Sequence, residues 1–109
     1  MRKNEINFGI DILELGEFPK YSDSNEKQFF KDNFSKNEIH YSLAQKNPTK
    51  TFACLFSIKE SLIKADNSLL NINFNKIELN PSNYGFYYKS YQILISINTK
   101  ICISFVISL

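Results

Sequence analysis

Residues 51–66 read TFACLFSIKESLIKAD, and the spacing of their apolar side chains decides the fold. Leu55, Ile58, Leu62 and Ala65 recur at intervals of three and four, and Phe52, Phe56 and Ile63 widen the same side, so the pattern predicts an amphipathic helix. It is the strongest helix in the chain. Downstream the character changes. LLNINFNKIELN (69–80), YGFYYKSY (84–91), YQILISIN (91–98) and KICISFVIS (100–108) are rich in β-branched and aromatic residues with local alternation, which predicts strands. The alternation slips between Phe74 and Ile77, as at a bulge. Pro81-Ser82-Asn83 reads as a turn and Asn98-Thr99-Lys100 as a tight hairpin.

Upstream, SDSNEKQFFKDNF (22–34) interleaves charge with Phe29, Phe30 and Phe34 and suits a short helix with its aromatic side inward. Ser35-Lys36-Asn37-Glu38 has the spacing of a capping box, which predicts a further helix to about Gln45, with Pro48 ending that segment. In INFGIDILEL (6–15), Phe8, Ile10 and Ile12 alternate, predicting a strand with these three toward the core and Asp11 on the other face, between Gly9 and Leu13. A carboxylate flanked by apolar residues needs a cation, hydrogen-bond donors or water. Asp11 therefore either lies in solvent on an edge strand or has a partner. The whole is read as α+β: one small domain over residues 1–109, with an N-terminal strand, two to three helices and an antiparallel sheet.

Composition bounds the rest. At 109 residues the chain holds one modest core, and 43% hydrophobic with 15% aromatic content predicts a folded globule. A net charge of +2 points to neither nucleic acid nor a membrane surface as partner. MRKNEINFGI lacks the unbroken apolar run of an export signal and no stretch is long enough to span a bilayer, so a cytoplasmic protein is expected. Cys54 and Cys102 have no metal-ligand spacing and are expected as reduced, buried thiols. His40 falls in a polar helical stretch and is read as a surface or packing residue.

Chemistry concentrates on the strong helix. Ser57, Glu60 and Lys64 lie at i, i+3 and i+7, on one polar stripe. Packing that stripe against Asp11 would bring two carboxylates and a lysine together, a set suited to Mg²⁺ and a phosphorylated ligand, because Mg²⁺ takes few carboxylates and keeps water and phosphate oxygens. The same spacing also fits an ordinary helical Glu60–Lys64 pair.

GIDILE, then FSKNE, then FSIKESLIKA, in that order, resemble the phosphopantetheinyl transferase superfamily, specifically its small holo-acyl-carrier-protein synthase type. The matching residues are Gly9, Asp11, Ile12 and Glu14, then Phe56, Lys59, Glu60, Lys64 and Ala65, and ISIN at 95–98 looks like the family's late Ser-Ile-Ser/Thr-His strand. The resemblance implies a phosphopantetheinyl transferase-like fold and Mg²⁺-dependent transfer of the phosphopantetheine arm of coenzyme A to a serine of an acyl or peptidyl carrier protein. It implies Asp11 and Glu60 as metal ligands, Lys64 as the phosphate contact, and Ser96 and Asn98 as further coenzyme contacts; the serine proton needs a base, for which Glu60, directly or through a metal-held water, is the candidate. It also implies a homotrimer with the coenzyme site between neighbours. Ile93, Ile95 and Ile97 on one strand face, with Leu94 on the other, agree with a sheet covered on both sides. The chain departs from the family at Asp66-Asn67-Ser68, where a Gly-x-Gly turn is usual, at Leu55 for an arginine, at Tyr84-Gly85-Phe86 for Gly-Lys-Pro, and at Asn98 or Thr99 for a histidine. A paralogue that binds a carrier protein without transfer is the alternative reading.

Overall fold

The structure, a computed structural model, describes residues 6–108. Residues 1–5, which open the stretch expected to lack an export signal, and residue 109 lie outside the described part. Strand β1 (Asn7–Glu14) leads through short 3-10 turns to helices α1 (Lys27–Asn33), α2 (Lys36–Leu43) and α3 (Pro48–Ala65). Strands β2 (Asn80–Ser82), β3 (Gly85–Tyr87), β4 (Gln92–Ile97) and β5 (Ile101–Ser108) follow. β1, β5 and β4 form an antiparallel sheet in that order, and β2 and β3 a separate two-stranded ribbon. α3 lies across β1 and β5. Among the described residues no helix is long and apolar enough to cross a membrane.

The local signals for the helices act as their residue types require. Ser35 Oγ accepts from Glu38 N–H at 3.1 Å while Glu38 Oε1 accepts from Ser35 N–H at 2.9 Å, closing the capping box of α2. Pro48 does not close the preceding segment but starts α3. It sits in the first turn, where its missing N–H costs nothing, and Asn47 Oδ1 caps the helix by accepting from Lys50 N–H. Phe18, Phe30, Phe34 and Phe52 are buried beside Leu55, Ile58 and Leu62, with rings at edge-to-face and tilted angles. At the other end of the sheet, Asn98 Oδ1 accepts from Lys100 N–H and Ile101 N–H at 2.8 and 2.9 Å, forming the expected hairpin.

Further expectations are overturned. In β1 the alternation is right but the face is inverted: Phe8 and Ile12 are 58% and 65% exposed, Ile10 is exposed, and Gly9 is buried. The cause is steric. A Cβ at Gly9 would stand 2.1 Å from the carbonyl oxygen of Ser61 and 2.8 Å from Lys64 Cβ, so only glycine lets α3 cross the strand this closely. Gly9, Asp11 and Leu13 therefore face the helix and the isoleucines face out. Residues 69–80, expected as a strand, instead form 3-10 turns at Asn67–Leu69 and Phe74–Lys76, and only Asn80–Ser82 pairs. Pro81 and Ser82 thus lie in β2 rather than in a turn, and the bend follows at Asn83-Tyr84, where Gly85 takes φ +148°.

The backbone of this segment is bound otherwise. Lys59, fully buried, donates from Nζ to Phe74 O at 2.8 Å, to Asn33 O at 2.8 Å and to Glu38 Oε1 at 2.6 Å. Glu38 Oε2 accepts from Leu79 N–H at 2.8 Å. One ammonium and one carboxylate thereby tie α1, α2 and the 74–79 segment to α3, spending every Lys59 donor.

Removing a single member of a buried, hydrogen-bonded ion pair costs about 3–5 kcal/mol, whereas a lost serine cap costs about 1 kcal/mol. Glu38→Ala is therefore expected to destabilise the chain several times more than Ser35→Ala in urea denaturation, although both break the same capping box. Equal losses would show that Glu38 acts only as a cap.

Candidate active site at the β1–α3 crossing

β1 is an edge strand of its sheet, so carbonyls on its free side have no strand partner. Lys64, in the last turn of α3, uses one of them: its Nζ donates to Ile10 O at 3.0 Å and stands 3.4 Å from Asp11 Oδ1. The Lys64 side chain is 52% exposed and that of Asp11 15%, so the pair is a half-open contact at the rim of the crossing, and Lys64 is free to turn toward another anion. Glu60 lies one turn earlier on the same helix and is half-buried. Its carboxyl is held above the ordinary glutamate range, first by burial and then by the like charge of Asp11, against a smaller pull from Lys64.

Two carboxylates, one of them raised by the like charge of the other, with a single lysine 3.4 Å from Asp11, form a donor set short of positive charge. Among the described residues no three His, Cys, Asp or Glu side chains converge. A cation held here would rest on these two carboxylates and draw its other ligands from water or a phosphorylated molecule, which is how Mg²⁺ is usually bound. These donor types are the ones Mg²⁺ takes.

The other expected site residues fall elsewhere. Ser57 is not on the open stripe. It is buried, with its Oγ 2.8 Å from Ser104 Oγ on β5, and Ser61 Oγ lies 2.6 Å from the same hydroxyl. This serine cluster takes part in seating α3 on the sheet. Ser96 is exposed and pairs across the sheet with Ile103, which in turn faces Ile12, so it lies on the sheet face away from α3 and Asp11. Asn98 spends its side-chain oxygen on the hairpin. Within one chain neither joins Asp11, Glu60 and Lys64. Lys59, a neighbour of Glu60 in sequence, belongs to the core, and His40 is exposed.

One cluster near the site was not foreseen. Asp66, just after α3, accepts from Ser68 N–H and Oγ and from the Tyr91 hydroxyl. The Ser68 and Tyr91 bonds hold its carboxyl below the usual range, while burial and Asp66 push the Tyr91 phenol up to about 12. The Asp-x-Ser spacing signals the local turn; nothing in the sequence signals Tyr91. These contacts clasp the end of α3 to the segment entering β4.

The family model of the 4′-phosphopantetheinyl transferase superfamily matches residues 7–108. A holo-[acyl-carrier-protein] synthase of Thermodesulfovibrio yellowstonii is 29% identical over 77 residues, 71% of this chain and 68% of that protein. One of Clostridium acetobutylicum is 33% identical over 78 residues, 71% of this chain and 62% of its own length. The matched part thus spans about two thirds of these curated relatives. Among solved structures, the ACPS–CoA complex of Chronobacterium ammoniagenes superposes with a TM-score of 0.76 at 18% identity, covering 95% of this chain and 96% of that one. The synthase of Thermotoga maritima gives 0.76 at 22%, covering 94% and 63%. At these identities the superpositions establish the fold.

The raised Glu60 carboxyl carries a consequence for stability. Its folded form holds a proton at pH values where the unfolded chain has lost it, so the stability it contributes is present below the unfolded value, about 4.3, and is lost as pH rises through the folded one. Glu60→Gln, measured by thermal unfolding in EDTA, is expected to raise Tm near neutral pH, with the gain shrinking as pH falls toward 4. A gain independent of pH would remove the electrostatic account.

Proposed function

The chain belongs to the 4′-phosphopantetheinyl transferase superfamily, and on that premise we propose that it transfers the phosphopantetheine arm of coenzyme A to a serine of an acyl or peptidyl carrier protein, with Mg²⁺ held by Asp11 and Glu60. The observation that carries this reading is the Asp11–Glu60 carboxylate pair at the β1–α3 crossing with a single lysine, Lys64, against Asp11. The matched relatives bear the name of that activity.

In the transfer, the serine oxygen forms a bond to the phosphorus bearing the pantetheine arm while that phosphorus parts from the bridging pyrophosphate oxygen, which leaves with the nucleotide. Mg²⁺, when bound, supplies charge neutralisation at the pyrophosphate. Lys64 turns from Asp11 to the phosphate oxygens, where negative charge accumulates on the leaving side. Glu60 takes the serine proton, directly or through a bound water. Holding arm and serine in line supplies much of the acceleration. Use of coenzyme A fits a cytoplasmic setting.

We further propose a homotrimer in which the outer sheet face is covered by neighbouring copies. Phe8, Ile10, Ile12 and Leu94 are exposed on that face, beside half-buried Ile103, Phe105 and Ile107, a contiguous apolar face of the kind that marks an interface. Ser96 shares the face, and Asn98 lies at its hairpin end. In the assembly they serve the coenzyme pocket of an adjacent subunit.

Incubating the chain with coenzyme A, Mg²⁺ and candidate apo-carrier proteins is expected to add the phosphopantetheine mass to one of them by mass spectrometry. Asp11→Asn and Glu60→Gln should reduce the rate at least a hundredfold, and Lys64→Ala should raise KM for coenzyme A with partial recovery in Lys64→Arg. Binding of a carrier without any mass gain would mark a non-catalytic paralogue.

Light scattering is expected to give three times the chain mass of 12.7 kDa, and Leu94→Glu should yield monomers that have lost transfer. A monomeric native chain with full activity would defeat the shared pocket.

A further inference from the structure

We propose that Cys54 and Cys102 are an oxidisable thiol pair that closes into a disulfide joining α3 to β5. Both are free and buried, and their sulfurs lie 3.7 Å apart although the residues are 48 positions apart in sequence. Cys102 faces Leu13 on one side and Ile97 on the other, in the middle strand of the sheet, and Cys54 lies above it in the first half of α3. A disulfide brings its sulfurs to about 2.05 Å. The chain has two cysteines in all, so an oxidised thiol has one intrachain partner.

The oxidant we assign is hydrogen peroxide, which is small enough to reach a nearly closed site. Cys54 is the point of attack because it retains 8% exposure while Cys102 has none. The Cys54 sulfur attacks one peroxide oxygen and gives up its proton, slowly, because the neighbouring Cys102 thiol and burial hold the Cys54 thiol above its ordinary range. An S–O bond forms, the O–O bond breaks, and the departing hydroxide takes a proton to become water, leaving a sulfenic acid. The Cys102 sulfur then attacks the Cys54 sulfur. The S–S bond forms, the S–O bond breaks, and a second water leaves with the Cys102 proton. Two thiols and one peroxide thus give one disulfide and two waters. Because the partner sulfur is already in contact, condensation outruns a second oxidation of Cys54.

The link forms about 9 Å along α3 from Glu60, six residues at the helical rise, and on the sheet-facing side. Oxidation therefore braces the seat of α3 without filling the β1–α3 crossing, and closing so long a loop lowers the freedom of the unfolded chain.

The test treats the reduced full-length protein with a small molar excess of hydrogen peroxide, alkylates remaining thiols and maps non-reduced peptides. Expected are a single linked species of the Cys54 and Cys102 peptides, lighter by about two hydrogens than their sum and separated by dithiothreitol, and a Tm several degrees above that of the reduced protein. Cys54→Ala should show no peroxide-dependent rise. Full alkylation of both cysteines after peroxide, sulfinic acid on Cys54 without the link, disulfides only between chains, or a linked form with unchanged Tm would each overturn the proposal.

Discussion

Everything in this small fold is arranged around one buried ammonium. Lys59 has no water to fall back on, and its three donors are met by a carbonyl at the end of α1, a carboxylate of α2 and a carbonyl of the 74–79 segment. A charge in such a place is tolerated only when fully paired. The three partners come from separate parts of the chain, so the requirement also fixes where they lie. Glu38 is similarly committed, since it closes the start of α2, holds Lys59 and receives Leu79 N–H. The irregular segment after α3, which has almost no strand partners, acquires its path from these two side chains.

The same helix carries a second lysine with the opposite fate. Lys64 is five residues on from Lys59, a rotation of about 140°, and that rotation moves it from the sealed core to the rim of the β1–α3 crossing. There it meets the backbone of an edge strand and the Asp11 carboxylate, with half its surface in solvent. The rigid side of α3 therefore supports the labile one. Glu60, between them in sequence, is held in a setting that raises its carboxyl and lowers the stability of the fold. A protein with a well-paired interior can bear that cost at one place.

Much of this was legible in the residues. The capping box at Ser35 and Glu38, the long amphipathic helix, the terminal hairpin and the α+β order are local or periodic signals, and local signals survive folding. The motifs that resemble the transferase family also pointed to the right superfamily. What failed was the choice of face. Period-2 alternation in β1 cannot say which side is inward, and hydrophobicity voted for Phe8, Ile10 and Ile12, whereas the deciding residue was the one with no side chain, Gly9. Residues 69–80 misled because β-branched and aromatic composition was read as a strand when the backbone was already claimed by Lys59 and Glu38, partners 15 to 41 positions away. Lys59 itself gave no sign of burial, since a lysine beside a glutamate on a helix looks like surface. Ser96 and Asn98 could be placed on a strand and a turn but not against Asp11, because sheet faces are set by pairing across the whole domain.

The inverted face of β1 also fixes the register of its pairing with β5. The opposite arrangement of the strand would turn Phe8, Ile10 and Ile12 toward α3. Slipping its pairing with β5 by a single residue would reach it, because one step of register exchanges the two faces. That competitor is attractive on hydrophobic grounds alone, and it would turn Asp11 away from Glu60 and Lys64. It also sets isoleucine side chains where the helix approaches so closely that not even a methyl group fits. The close crossing at Gly9 thus bars that register: a strand shifted by one residue cannot seat α3, and only the observed register brings Asp11 beside Glu60 and Lys64.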